Sequence, residues 1–324
     1  MNSDKYDELF EIYNRGDNPG IAILIIKNQR IILKKGYGLK NLKDYSPIDS
    51  NSNFNLASLS KAFTAAAIAL LEEQGLICLE DSIKKFFKAV SPEYEAIKIK
   101  HLIYHLSGLP HFAKEHWDKK KLITNKKIIN YLKQHRLETI PGEKFMYNDS
   151  GYILLASIIE KVTTISYPQF LKNFIFVPCG MKNTLACPDK TLVPERALGY
   201  SEWPLFELDD TYPGDLVYGD GAIYSSLEDL YAWILAIEQD KLFLPATKQK
   251  LFSTGYRNNH QPAFYGYGWF ISEERGAKLC YHAGEWVGFR HWIANIPSQK
   301  LWILVLSNSS GTNARALGEK LRSI

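Results

Sequence analysis

The sequence predicts a mixed α/β protein: one antiparallel sheet assembled from both ends of the chain, flanked by helices, with a mainly helical middle. Three observations predict it. Apolar, β-branched or aromatic runs cluster near the termini, at Gly20 to Ile26 and Arg30 to Leu33 and again between Tyr265 and Leu306. Hairpin-length polar linkers, Lys27 to Gln29 and Pro297 to Lys300, join neighbouring runs. Between these two groups the pattern is mostly helical. The 324 residues therefore read as one domain, with a sheet lobe of about residues 1–57 and 255–324, a helical lobe of about 58–254, and a natural place for a site between them.

In chain order, Asp4 to Arg15 has the spacing of a short amphipathic helix. The two N-terminal strands follow, and Gly36-Tyr-Gly38 predicts a tight bend after the second. Pro47 to Asn53 is polar loop. The Ala/Leu-rich run from Ser58 predicts a helix ending near Gly75. Helices are also expected over Ile99 to Leu106, broken by Ser107-Gly-Leu-Pro110, and over Leu122 to His135. Gly151 to Glu160 has the composition of a buried helix, and Ser226 to Ile237 begins with a Ser-x-x-Asp cap. Strands are expected at Tyr265 to Ile271, Leu279 to His282, Phe289 to Ile296 and Leu301 to Leu306, and a last helix at Gly311 to Leu321.

Composition narrows the function. Thirty-nine basic against thirty-five acidic side chains leave a net charge of +4, spread along the chain. The one locally basic region, Lys119 to Lys121 with Lys126 and Lys127, reads as a solvated helix face, and no nucleic-acid partner is expected. No segment has the length of a membrane span. Met1-Asn-Ser-Asp-Lys-Tyr6 is not a secretory leader, so the chain as it stands reads as cytoplasmic, and as exported if a leader once preceded it. Cys78, Cys179, Cys187 and Cys280 show no metal spacing and read as free thiols. His101, His105, His111 and His116 crowd one region without forming a known ligand set, and no cofactor is expected.

The chemistry centres on Ser58-Leu-Ser-Lys61. On a helix start, residues three apart share a face, so Lys61 can reach Ser58. A desolvated lysine can take the proton of a serine hydroxyl, and unpaired N–H groups at a helix N-terminus favour developing negative charge. The tetrad alone is common. The chain has a second, Ser82-Ile-Lys-Lys85, and taken by itself Ser58 reads as a helix cap.

The surrounding stretches decide between these readings. Pro19-Gly-Ile-Ala22, Gly36-Tyr-Gly38, Ser58-Leu-Ser-Lys61, Leu102-Ile-Tyr-His-Leu-Ser-Gly-Leu109, Pro141-Gly-Glu-Lys-Phe-Met-Tyr147, Gly151-Tyr-Ile-Leu-Leu155, Gly219-Asp-Gly-Ala-Ile-Tyr-Ser225 and His282-Ala-Gly284, in this order, resemble the serine β-lactamase and penicillin-binding-protein superfamily. The branch resembled is the class C-like one, with its D-peptidase and esterase relatives. The resemblance runs from about Pro19 to Asn308 and implies a β-lactamase/transpeptidase-like fold.

It also implies roles. Ser58 is the nucleophile, with Lys61 and Tyr147 sharing the base role in an order the sequence leaves open. The oxyanion hole is made by the N–H groups of Ser58 and Glu285. His282, Gly284, Asp149 and Trp286 bind substrate, His282 pointing into the cleft, and His105 is structural. Trp286, Phe289, Trp269 and Tyr224 are candidates for an apolar pocket wall. Asp149 stands where the family carries an asparagine and His282 where class C enzymes carry a lysine. An ionised Asp149 pairs with Lys61, raises its pKa unless burial offsets this, and repels a carboxylate.

The expected function is a serine hydrolase acting through an acyl-enzyme on a small-molecule or peptide ester or amide that is uncharged or carries a free amine. The expected β-lactamase activity is weak or nil. The alternative is an inactive or acylation-stalled penicillin-binding or scaffold protein on the same fold. Oligomeric state has no sequence signature here.

Overall fold

The computed structural model describes residues 4–88, 90–112, 122–187, 189–202, 204–210 and 215–323. Lys119 to Lys121, His116 and Trp203, all singled out from sequence, lie outside them, as do residues 211–214 of the loop between Trp203 and Asp220.

The main sheet has six antiparallel strands: β1 (Ile21–Lys27), β2 (Arg30–Tyr37), β3 (Phe270–Glu274), β4 (Ala277–Trp286), β5 (Phe289–Ile296) and β6 (Leu301–Ser307). Their order across the sheet is β3-β4-β5-β6-β1-β2, so the two ends of the chain meet where β1 pairs β6, Ile21 opposite Ser307. β1 is apolar on both faces because both are covered. Ile21, Ile23 and Ile25 pack beneath two terminal helices, α1 (Asp4–Phe10) and α7 (Ala314–Arg322), with Phe10 and Leu321. Ala22, Leu24 and Ile26 face the helical side.

That side is built around α2 (Ser60–Glu73), buried along almost its whole length. Its five alanines let neighbours approach closely, and Phe63 stacks on Trp233 of α6 (Leu227–Glu238) at 4.3 Å between ring centroids. Ser226 caps α6 through its side chain, as the Ser-x-x-Asp pattern predicts. α5 (Asp149–Thr163) packs against α2, and α3 (Ile99–Ile103) and α4 (Asn125–Leu132) pack against α5. Gly75, with φ +69°, follows the end of α2 as expected.

Three expectations change. The run Tyr265 to Ile271 is a strand only from Phe270. Gly268 takes φ +81° and sits so close to the start of α2 that a Cβ there would be 2.5 Å from Ala62 Cα, so Tyr265 to Trp269 turn across α2 instead of extending. The Leu122 helix is shorter, Asn125 to Leu132, because the Thr124 side chain caps it. The middle of the chain also contains short strands that helical periodicity does not signal. Phe54–Asn55, Ile223–Ser225 and Leu185–Ala186 form a small sheet in front of α2. The four cysteines are free. Among the described residues, no helix is long and apolar enough to cross a membrane.

Candidate active site

Ser58 lies in a single 3-10 turn, Ala57 to Leu59, which runs directly into α2. The turn is strained and heavily held. Ala57 has φ +49°, a region that L-residues occupy at a cost. Asn55 compensates by accepting the Ala57 N–H on its side-chain oxygen at 3.0 Å. The small sheet supplies the rest: Leu56 N–H donates to Ile223 O at 2.8 Å, and Ile223 N–H donates to Ser60 Oγ at 3.3 Å. Gly284 of β4 presses on the other side, where a Cβ would lie 2.4 Å from Leu56 O.

Lys61 is fully buried, and its ammonium donates to Ser58 Oγ at 2.9 Å and to the Asp220 carbonyl at 3.2 Å. Asp149 Oδ1 stands 2.7 Å from the same nitrogen. Burial alone pulls the lysine pKa down, but the charges of Asp149, Tyr147 and Asp220 overcome this and raise it above its ordinary value. Asp149 is the first residue of α5, where the helix dipole also favours a carboxylate. Burial pushes its pKa up, and the Lys61 charge outweighs that and holds it low.

Tyr147 lies on the segment leading into α5, with its ring centroid 5.0 Å from Lys61 Nζ. Burial raises its pKa, and Lys61 pulls it partly back. Its hydroxyl is close enough to Ser58 and Lys61 for both to favour the ionised form, yet it meets hydrogen-bond geometry with neither. The structure thus brings Ser58, Lys61, Tyr147 and Asp149 together. The other tetrad does something different. Ser82 Oγ caps the short turn Ile83 to Lys85, and Lys85 pairs with Asp81 at the surface.

These groups open on a cleft of about 140 Å³, with Ser58, Asp149, Asp220, Tyr224, Glu285 and Trp286 in its wall. Two of the four candidate aromatics, Tyr224 and Trp286, therefore line it. Phe289 and Trp269 are core residues, Trp269 stacked on Trp233 and tilted against Phe252.

His282 differs from expectation. It shares the cleft-side face of β4 with Gly284, but it is only 2 % exposed and both ring nitrogens are engaged. Nε2 pairs with Tyr265 OH at 2.9 Å and Nδ1 with Ala283 O at 2.6 Å. Burial first, then Lys61, pushes its pKa down to about 3, so it is a neutral ring packed behind Tyr147. His101 serves its own helix, accepting the Lys98 N–H on Nδ1.

Sequence reasoning missed Tyr265, the partner of His282, and the Asp220 carbonyl. The glycine pair around Asp220 was the available signal for the second. A Cβ on Gly219, at φ +109°, would strike Tyr152 O at 2.3 Å, so only glycine lets this loop reach Lys61. Asn55 and Ala57 carry no comparable signal.

Comparison with known proteins places the chain in a family. The chain is 32 % identical over 321 residues to Penicillin-binding protein 4* of Bacillus subtilis (strain 168), covering 93 % of this chain and 70 % of that one. It is 29 % identical to Protein flp of Staphylococcus aureus (strain MW2), covering 95 % of this chain and 63 % of that protein's length. The octameric penicillin-binding protein homologue from Pyrococcus abyssi superposes with a TM-score of 0.87 at 27 % identity, over all of this chain and 77 % of that one. The model of the Beta-lactamase family matches residues 7–322, which takes in the Ser58 turn, Tyr147 and the Gly284 strand alike, and the chain belongs to that family.

Proposed function

We propose that this chain is a serine hydrolase that forms an acyl-enzyme at Ser58 and acts on esters or amides without a carboxylate beside the scissile bond. One observation carries the reading: a lysine with no exposed surface, 2.9 Å from a serine hydroxyl, at the floor of an open cleft. A buried ammonium aimed at a serine serves no packing purpose that a leucine would not serve at lower cost.

In this reading Ser58 Oγ attacks the carbonyl carbon, the C=O π pair moves to oxygen, and the N–H groups of Ser58 and Glu285 receive the oxyanion. Glu285 lines the cleft next to Gly284, whose lack of a side chain lets the strand lie against the Ser58 turn. Tyr147 enters the cycle as the phenolate, the form that the Lys61 ammonium favours, and takes the serine proton. Lys61, held as an ammonium by Asp149, stabilises the phenolate and the alkoxide. Tyr147 then protonates the leaving group; in the second half the phenolate takes a proton from the attacking water and returns it to Ser58 Oγ as the acyl C–O bond breaks. Asp149 Oδ2 also faces His111 at 4.0 Å at the cleft wall. The carboxylate disfavours anionic substrates there and suits an uncharged acyl group or one bearing an amine.

A panel of neutral esters, D-amino-acid amides and peptides, and β-lactams, each with Ser58→Ala beside the wild type, tests the proposal. Ser58-dependent turnover of esters or amides exceeding that of β-lactams supports it. Absence of any Ser58-dependent turnover contradicts it. A second reading follows from the raised Lys61 pKa: acylation by penicillin that stalls. Its mark is a long-lived penicilloyl adduct by mass.

A further inference from the structure

We propose that His105 is the positioning residue for Tyr147, holding the peptide on both sides of it so that the phenol stays beside Ser58; this rests on the hydrolase reading above. The hydroxyl of Tyr147 meets hydrogen-bond geometry with no protein group, so the ring is placed by its packing, on Phe270 among others, and by the peptide that carries it. Both flanking amides end on one residue. Met146 N–H donates to the His105 carbonyl at 2.9 Å, and Asn148 N–H donates to His105 Nδ1 at 3.0 Å. The imidazole then lies against the Tyr147 ring, centroids 4.3 Å apart.

Two costs set this histidine apart from a packing residue. It has φ +55°, a left-handed conformation that lets its carbonyl and its side chain both serve the 146–148 segment. With Nδ1 accepting, the ring proton sits on Nε2, and that atom is buried without a partner among the rings of Tyr147, Tyr152 and Tyr265. A leucine would fill the space without an orphaned N–H. What it would lack is the acceptor for Asn148. The loop is also anchored from nearby, by Gly142 N–H to Leu106 O at 2.7 Å and Asn148 Nδ2 to Leu109 O at 2.6 Å. Loss of Nδ1 therefore loosens Tyr147 without unfolding the segment.

Three variants separate positioning from packing. His105→Asn keeps an acceptor near the Nδ1 position and tolerates the left-handed backbone. His105→Gln places its acceptor where Nε2 lies, and His105→Leu has none. The expected result is a kcat about tenfold to a hundredfold lower for Leu and Gln with KM nearly unchanged, and recovery of most of kcat in Asn. Amide exchange at Asn148 should accelerate in Leu and Gln but not in Asn. Wild-type kcat in the leucine variant, or wild-type protection of the Asn148 amide there, overturns the proposal. So does an asparagine variant that keeps the protection and still loses kcat. If the wild type shows no Ser58-dependent turnover, the hydrolase reading falls, and the Asn148 amide still decides whether the clamp exists.

Discussion

Lys61 Nζ lies 2.7 Å from Asp149 Oδ1 and 2.9 Å from Ser58 Oγ, so the group beside the proposed nucleophile is held as an ammonium by a carboxylate. Asp149 raises the pKa of both Lys61 and Tyr147. Whichever of the two must lose a proton for Ser58 to react, the wild-type rate climbs with pH. Asp149→Asn removes the shared cause, so the climb in kcat/KM should begin at lower pH than in the wild type. An unmoved profile assigns it to a different group.

The same carboxylate contributes to stability in a defined window. The folded-state pKa of Asp149 is depressed, so its contribution is present above the unfolded value of about 3.9 and lost as pH falls through the lower folded value. The Tm difference between wild type and Asp149→Asn should be constant near neutrality and shrink on acidification. Its size should fall short of the ~3–5 kcal/mol for breaking a fully buried pair, since one-third of the Asp149 side chain is exposed. A difference that widens in acid contradicts this.

Gly284 offers a steric test. Gly284→Ala would put a Cβ 2.4 Å from Leu56 O, backbone that the small sheet holds in place. Stability should drop by about 1–3 kcal/mol, and the Ser58 turn should shift enough to reduce turnover. Denaturant melts with a Ser58 labelling rate measure both, and a variant unchanged in each rules out the close approach.

Cys187 lines the cleft, while Cys78 is exposed and not part of its wall. Burial raises the Cys187 pKa, so a maleimide at neutral pH should reach Cys78 first without effect on turnover. Slower modification of Cys187 should then block substrate, and Cys187→Ala should be immune. Peptide mass mapping against residual activity reads this; inhibition that tracks Cys78 would contradict the placement.

The legible part of the site was the part written in side-chain identity. Ser58, Lys61 and Tyr147 stand in distinctive flanks, and the sheet followed from β-branched runs joined by hairpin linkers. Asp149 is legible as the partner of Lys61 because it stands where the family carries an asparagine that contacts the lysine. What stayed hidden depends on backbone. The left-handed Ala57 has no residue-type signature, and the Asp220 carbonyl is signalled only by the glycine beside it, Gly219. Tyr265 reads as strand because it stands in an aromatic run, yet Gly268 turns the chain across α2. The sequence points His282 into the cleft, but its depth behind Tyr147 depends on Tyr265, which periodicity does not place.

The central claim is that Ser58 is the nucleophile, and covalent labelling tests it most directly. After incubation with a fluorophosphonate, intact mass should show one adduct per chain. Peptide mapping should place it on Ser58, absent from Ser58→Ala and retained in Ser82→Ala. An adduct elsewhere, or none on folded protein, would contradict the account.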